Sequence, residues 1–274
     1  MFLKDEQWAV LEPVLRAPRR SSFGRPLADA RRVFEVILFV LHTGIQWEHL
    51  PRTFPPMSAV HDYLRRWSEQ HVFRVLLARV IRQLLQRGRL DLDQCFIDAT
   101  FAPAKGGGEA VGLTRKGQGS KLQLVVDGQG VPLGVGVAAA STGEPQRVQG
   151  TLDLPAPDAA PARLVGDTAS DSDPLDETLA ELGIEMIAPH RANRRPENAT
   201  QDGRPLRRCR HRWIVERTIA RLGNHRRLLV RWEEHAHVFL SFTLLGCLMI
   251  ALRHLPAIRC LHPHDSLFGQ SLTS

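Results

Sequence analysis

The apolar residues change their spacing near Gly88, and this change restricts the fold more than any other feature of the chain. Before it, apolar residues recur at the three- and four-residue spacing typical of helices. After it, short apolar runs alternate with helical stretches and with turns that contain Gly and Pro. Strands interleaved with helices predict an α/β domain with a mixed sheet, preceded here by a helical region.

Four helices are predicted in the N-terminal region. Asp5 is expected to cap the first, Gly44 to end the second and Ser58 to cap the third. Short helices with tight turns are compatible with a helix-turn-helix-like DNA-binding unit, and equally with a bundle that only packs. The first helix should carry apolar residues as far as Leu15, and the third as far as Trp67. The second should span Asp29–His42 and the fourth Val72–Arg87.

Five strands and three helices are predicted after Gly88. The first and fourth strands should each end at an acidic residue, and a hairpin turn at 127–130 should join the second and third. Residues 105–119 are predicted to be poorly structured. The strands are expected at Leu92–Asp98, Lys121–Val126, Val131–Ala138, Arg163–Asp167 and Ile184–Ala188, and the helices at Asp173–Leu182, Leu206–Leu229 and Val238–Leu252.

The pattern also predicts the domain organisation. We expect a helical N-terminal region over residues 1–90, an α/β domain over residues 91–256 and a loose C-terminal tail over residues 257–274.

Cysteine spacing and hydropathy predict the compartment. The four cysteines are too far apart for a CxxC pair, so they indicate neither a zinc site nor a disulfide framework. The N-terminus lacks the apolar core of a signal peptide. The longest uncharged apolar run, 238–252, is shorter than the roughly 18–20 residues of a membrane span. We therefore expect a cytoplasmic protein with no membrane segment.

The positive charge is concentrated in one segment. The formal net charge is +7, yet Arg191–Arg231 alone carries 13 Arg, no Lys and three acids, which leaves a net charge of −3 for the rest. Such a segment predicts contacts with DNA phosphates, although Arg-rich stretches are often only solvated. Trp213 is a candidate for stacking on a base, or equally for the rim of the core. The expected DNA-binding residues are Arg191, Arg194, Arg195, Arg207, Arg208, Arg210, Arg212, Trp213, Arg217 and, on the hairpin, Lys121.

Three carboxylates form a candidate metal site. Asp98 and Asp167 follow apolar strand residues, and Glu216 lies at the margin of the apolar stripe of a helix. Clustered carboxylates bind Mg²⁺, and a pair of such ions can assist displacement at phosphorus. Taken singly, each acid has a structural alternative: the two Asp residues as turn or helix caps, and Glu216 as an ion pair with Arg212.

Several motifs resemble, in the expected order, those of bacterial insertion-sequence DDE transposases of the insertion sequence 5 family. The resemblance covers about residues 3 to 253. Its strongest part is the string from Arg212 to Thr218, followed by Arg226-Arg227-Leu228 and Arg231-Trp232-Glu233. The other matching segments are Asp5–Trp8, Gly24–Pro26, Thr43–Trp47, Ile97–Thr100, Lys121–Pro132, Gly166–Ser172 and Gly183–Pro189.

The resemblance implies a fold, an activity and a set of site residues. It implies an RNase H-like catalytic domain in which Asp98, Asp167 and Glu216 bind two Mg²⁺ or Mn²⁺ ions. It also implies a transposase that binds the terminal inverted repeats of its element, cuts DNA strands and transfers them to target DNA. A homodimer in the synaptic complex and association with the nucleoid are expected on the same basis, with residues 1–90 and the Arg-rich segment holding DNA.

The chain departs from the family pattern at several positions. The related motif has Tyr where this chain has Cys209 and a basic residue where it has Gly223. Thr168-Ala169-Ser170 replaces a basic and an aromatic residue, and a His-Asp pair after the third strand is absent from Ser141–Arg147. Two alternatives stay open: a metal-dependent nuclease on the same fold, and a catalytically inactive transposase-derived DNA-binding regulator.

Overall fold

A computed structural model describes residues 3–15, 28–143, 148, 151, 156–192 and 203–255. The predicted break at Gly24–Pro26 and the predicted tail at 257–274 lie outside these residues. No helix in the described ranges has the length and apolar character needed to cross a bilayer.

The described part of residues 1–90 contains four α-helices, as predicted. The second is delimited by its caps: the Asp29 side chain accepts a hydrogen bond from the backbone N–H of Arg32, and Gly44 ends the helix in the left-handed conformation at φ 68°. The expectation that Ser58 caps the third helix is wrong, because Pro56 precedes it and Ser58 lies within it. The helices are α1 (Asp5–Leu15), α2 (Ala30–Thr43), α3 (Met57–Glu69) and α4 (Val72–Gln86).

A six-stranded mixed sheet follows. Its long strands β1, β3 and β4 pair antiparallel, whereas β5 pairs parallel to β1 and β6 parallel to β5. The short β2 pairs with the start of β3, in the stretch predicted to be poorly structured. The strands are β1 (Cys95–Pro103), β2 (Gly112–Thr114), β3 (Gly117–Val126), β4 (Pro132–Ala139), β5 (Arg163–Val165) and β6 (Glu185–Ile187).

The first strand does not end at Asp98 as predicted. It continues to Pro103, because Ala99 to Pro103 pair with residues 119–123 of β3. Asp98 therefore lies in the middle of a strand, opposite Leu124. The fourth predicted strand is β5 in the structure. It ends two residues before Asp167, close to the predicted end.

The predicted long helix from Leu206 to Leu229 is interrupted. Residues 207–211 form a 3₁₀ turn, and a second break at Asn224 and His225 follows Gly223, since Gly and Asn favour a helix weakly. After this break the chain returns Leu228 to the core. The helices of this half are α5 (Asp173–Glu181), α6 (Gly203–Leu206), α7 (Trp213–Gly223), α8 (Arg226–Leu229) and α9 (Ala236–Ala251).

The C-terminal helix α9 joins the two halves of the molecule. It packs against α3 and α4 of the helical region as well as against β4, α7 and α8. Twelve of its sixteen residues are buried, which explains why its sequence is apolar on all sides. The buried apolar residues from Leu3 to Leu252 accordingly form one continuous cluster.

Candidate active site

The strand register brings Asp98 and Asp167 together. On the parallel strands β1 and β5, Phe96 is the partner of Val165. Two residues after these partners lie Asp98, still on β1, and Asp167, in the turn that follows β5, so both acids lie towards the same end of the strand pair. Neighbouring strands are about 4.8 Å apart, and the charge of Asp167 acts on Asp98, so the structure brings the two acids near one another.

The turn after β5 fixes Asp167. One oxygen, Oδ1, accepts a hydrogen bond from the backbone N–H of Ala169 at 3.0 Å and from the hydroxyl of Ser170 at 3.4 Å. Asp167 thus caps the short 3₁₀ turn Thr168–Ser170. The alternative that Asp167 is a cap is therefore correct. It is compatible with a second role, because the capping hydrogen bonds hold the carboxyl group in place.

Helix α7 carries Glu216 and is attached to the turn of the β3–β4 hairpin. The Thr218 hydroxyl donates to the carbonyl of Gly130 at 3.0 Å, and Arg217 Nη2 donates to the carbonyl of Gln129 at 3.0 Å. Helix α7 also packs on β1 and β3. Glu216 remains exposed to solvent in its first turn.

Arg212 faces the first acid. Arg212 Nη2 lies 3.4 Å from Asp98 Oδ2, with both side chains about one fifth exposed. The Arg212 Nε atom is buried and has no hydrogen-bond partner among the described residues. The guanidinium thus reaches across to the strand and not to Glu216, the partner that the structural alternative gave it.

Burial raises the pKa of Asp98, and the neighbouring acids add to this effect. Removal of water is the largest cause, and the charges of Asp167 and Glu216 raise the pKa further. The backbone N–H of Ala99, at 2.8 Å, and the positive charge of Arg212 oppose the shift. The charges of Asp167 and Glu216 therefore both act on Asp98, and Arg212 faces it as a cation.

A further acid, Asp171, supports the loop beside the site. Asp171 Oδ2 accepts the backbone N–H of Arg191 at 2.8 Å, and Asp171 Oδ1 lies 3.0 Å from His190 Nδ1. The Arg191 side chain donates to the carbonyls of Thr168 and Ala169 at 3.1 and 2.7 Å. Arg191 thus braces the turn that holds Asp167.

The other predicted DNA-binding residues are distributed as follows. Trp213 is 51% exposed, with the Arg217 guanidinium 4.7 Å from its ring centroid. Arg207 and Arg210 are exposed, and Arg208 is half-buried. Lys121 is half-buried on β3, opposite Phe101. Arg194 and Arg195 lie outside the described residues.

Two family models match the sequence. Residues 3–77 match a family described as a transposase of the IS4/5 family, DUF4096. Residues 90–252, more than half of the chain, match the transposase DDE domain. The second match includes the whole sheet and helix α7, and therefore all three acids.

Two curated relatives come from Burkholderia cepacia. The chain is 31% identical over 118 residues to an uncharacterized 16.2 kDa protein of insertion element IS402, which covers 41% of this chain and 80% of the relative. It is also 31% identical over 140 residues to a protein assigned as the transposase for insertion sequence element IS402, which covers 48% of this chain and 62% of the relative.

Solved transposase structures show weaker likeness. The piggyBac transposase synaptic complex with hairpin DNA is 12% identical, with a TM-score of 0.40, over 72% of this chain and 50% of that one. A pre-cleavage Mos1 transpososome is 12% identical, with a TM-score of 0.27, over 87% of this chain and 80% of that one. The chain thus spans half the length of the piggyBac protein.

The DDE-domain match and the mixed sheet confirm the predicted RNase H-like fold class. With the IS402 relatives, they also confirm the family that the sequence motifs indicated. The chain belongs to the DDE transposases of bacterial insertion sequences.

Proposed function

We propose that this transposase binds the terminal inverted repeats of its own element and cuts and transfers DNA strands at a site formed by Asp98, Asp167 and Glu216. The proposal is supported above all by the parallel pairing of β1 and β5, which brings Asp98 and Asp167 to the same end of the strand pair, and by helix α7, which packs on β1 and carries Glu216. The charges of both neighbours act on the partly buried Asp98, an arrangement that a protein which only binds DNA would not need.

The three acids fit the divalent metal ions on which the DDE class depends. They form a like-charged group, and the pKa of Asp98 is raised by burial and by both neighbours, so a bound cation would relieve the repulsion. Asp98, Asp167 and Glu216 would hold Mg²⁺ or Mn²⁺, with two ions as the expected number. Such ions would polarise the scissile phosphate and favour ionisation of the attacking hydroxyl group.

The protein's own groups would position the acids and the DNA. The cap at Asp167 and the brace at Arg191 orient the second carboxylate. Arg212 neutralises part of the charge on Asp98 before metal binds. The exposed Arg210 and the Trp213–Arg217 pair are proposed to contact DNA phosphates and a base, respectively.

The remaining assignments follow the same proposal. The helical region, residues 1–90, would contact DNA together with the Arg-rich segment. Two copies of the chain would bring the two element ends together, because each end needs its own active site. Strand transfer by pre-cut ends would separate a transposase from a nuclease on the same fold.

Asp98→Asn tests the site. The amide has nearly the same shape but binds a metal cation poorly, so Mg²⁺-dependent cleavage of DNA that carries the element ends should fall by at least about 10³-fold. Binding of the same DNA, measured by gel shift without metal, should change by less than about threefold, which is under 1 kcal/mol.

Glu177→Gln is the matched control, since Glu177 is an exposed acid on α5 that is not one of the three proposed ligands. It should leave both cleavage and binding unchanged. Cleavage by Asp98→Asn at the wild-type rate would refute the assignment of the acids. DNA binding without metal-dependent cleavage by the wild-type protein would favour the regulator instead.

A further inference from the structure

A second group of metal-binding side chains lies away from the three acids. The ligand atoms of Glu109, His235 and His237 all lie within 4.8 Å of one another. Glu109 Oε1 is 3.5 Å from His235 Nδ1, and the two imidazole rings are stacked with centroids 5.4 Å apart. None of Asp98, Asp167 and Glu216 belongs to this group.

Main-chain hydrogen bonds fix the relative position of the two segments that supply these ligands. The backbone N–H of Glu109 donates to the carbonyl of Glu234 at 3.0 Å. In the opposite direction, the backbone N–H of Ala236 donates to Glu109 Oε2 at 3.0 Å. The carboxylate is therefore already oriented towards the histidines before any ion binds.

The buried side chain of Arg231 connects the same two segments. Arg231 is 1% exposed. Its Nη1 donates to the carbonyl of Ala110 at 3.2 Å, and its Nη2 donates to the carbonyl of Glu234 at 2.9 Å. Since each segment is held by the same guanidinium, the spacing of the ligands is a property of the fold and not of flexible side chains alone.

The donor set selects the kind of ion. Two imidazole nitrogens and one carboxylate oxygen form a set that binds Zn²⁺ with a fourth position open, whereas Mg²⁺ prefers oxygen ligands only. In a tetrahedral zinc site, ligand atoms are about 3.3 Å apart, given bond lengths of about 2.0–2.1 Å. The His235–Glu109 separation of 3.5 Å is already close to this value.

We propose that Glu109, His235 and His237 form a zinc-binding site that links the loop after β1 to the start of α9. The site is independent of the proposed catalytic one: Asp98 lies five residues, or about 17 Å, before the end of β1, and the loop with Glu109 follows that end. Both histidines also line a cavity with Trp47 and Trp232. This cavity has room for a fourth ligand such as water.

The experiment measures zinc binding directly. Metal-free full-length protein is dialysed against Zn²⁺ with millimolar Mg²⁺ present to saturate oxygen-only sites, and bound zinc is counted. Co²⁺ serves as a second probe, because its visible absorption reports a tetrahedral site with nitrogen ligands. One equivalent of tightly bound zinc is expected, and His237→Ala and Glu109→Gln, which each remove a direct ligand, should weaken its binding by at least roughly one hundredfold, the upper end of the loss seen for partners of the ligands.

Two controls make the result specific. His61→Ala removes another histidine that lines the same cavity but is not among the three ligands, and Asp98→Asn disables the proposed catalytic site. Both should retain full zinc binding. Zinc should also raise the Tm of the wild-type protein but not that of His237→Ala, while the two proteins unfold at similar temperatures without metal.

Three outcomes would overturn the proposal: no stoichiometric zinc on the wild-type protein, unchanged affinity in both ligand variants, or loss of the bound zinc in Asp98→Asn. The last of these would assign the zinc to the catalytic acids. Because Glu109→Gln keeps the hydrogen-bonding shape of the side chain, it tests the site even if His237→Ala alters the start of α9.

Discussion

Asp98 carries a charge that the metal-free fold disfavours. It lies in mid-strand, largely shielded from water, near two further acids whose charges act on it and with Arg212 within reach. A buried carboxylate of this kind resists ionisation, yet it must be ionised to bind a cation. The same residue is therefore expected to lower stability and to support activity.

The pH dependence of stability should reveal this conflict. Because the pKa of Asp98 is raised in the folded protein, its contribution to stability is greatest below the unfolded value of about 3.9 and is lost as pH rises through the folded value. In EDTA, Asp98→Asn should therefore melt a few degrees above the wild-type protein at pH 8. The difference should shrink towards pH 4.

Thermal melts of both proteins across this range provide the measurement, with Glu177→Gln again as the control. A variant that is less stable than the wild-type protein at pH 8 would contradict the proposed cost of the Asp98 charge. Cleavage should respond in the opposite sense, since it requires the ionised form and should fall as pH is lowered through the raised pKa.

Part of the candidate site could be predicted from residue type and position, but its contacts could not. Strand-like residues before Asp98 and Asp167 predict an acid at the end of each strand; the structure places Asp167 just after β5 but Asp98 in the middle of β1. The Arg212–Asp98 contact depends on how α7 crosses β1, which no local pattern encodes. Glu109 and His235 are joined only by the fold, so the His-x-His spacing at 235–237 was the one available signal.

At the scale of elements, the break between α7 and α8 determines how α7 meets the core. His225 lies in this break and is buried, with its ring 5.9 Å from that of His42 and with no partner for Nδ1 among the described residues. A Cβ atom on Gly246 of α9 would lie 3.4 Å from the His225 ring and 2.8 Å from Leu222. The helices approach closely because Gly246 has no side chain.

Acid should destabilise this junction. Burial and two nearby cationic groups lower the pKa of His225 to about 4, so the unfolded chain takes up its proton first as pH falls. Stability contributed by the neutral ring should be lost from pH 6.5 down through about 4, by about 3 kcal/mol in full. Denaturant unfolding at several pH values measures the loss.

His225→Leu removes the titrating group and should flatten the unfolding free energy over that range. His61→Leu replaces an exposed histidine and should keep the wild-type pH dependence. An identical slope in His225→Leu and the wild-type protein would show that the acid sensitivity arises elsewhere.

Local chemistry predicted the elements best where one residue determines an end. The caps Asp29 and Gly44 delimit α2 to within one residue of the prediction. The prediction failed where pairing or packing overrides local preference: β1 is extended by β3, and the expected long helix is broken where Leu228 returns to the core. Both failures come from contacts between segments that are distant in sequence.

At the scale of the whole molecule, the two halves share one core. Helix α9, at the end of the described chain, packs on α4 as well as on the sheet, and Phe242 and Leu245 are fully buried. The apolar cluster runs without interruption from Leu3 to Leu252. The division at residue 90 thus separates a helical region from a region of strands and helices. That it also separates two functions is a proposal.

The shared core predicts that residues 91–256 do not fold independently. Without the helical region, α9 would expose a large apolar surface, and such surfaces cause aggregation. We expect the full-length chain to unfold in one cooperative transition in calorimetry, and the truncated chain to be insoluble or to lack such a transition. A soluble fragment with a cooperative transition near the Tm of the full-length protein would contradict this.

The parallel register of β1 and β5 also restricts which length changes the gene can tolerate. Side chains alternate between the two faces of a strand, so deletion of one codon between Phe96 and Asp98 would turn the aspartate to the opposite face. Gly106 and Gly107 carry no such parity, because they lie beyond the end of the strand and a Cβ atom on either would meet nothing within 4 Å. Insertions and deletions in related elements should therefore be absent from the first position and permitted in the second.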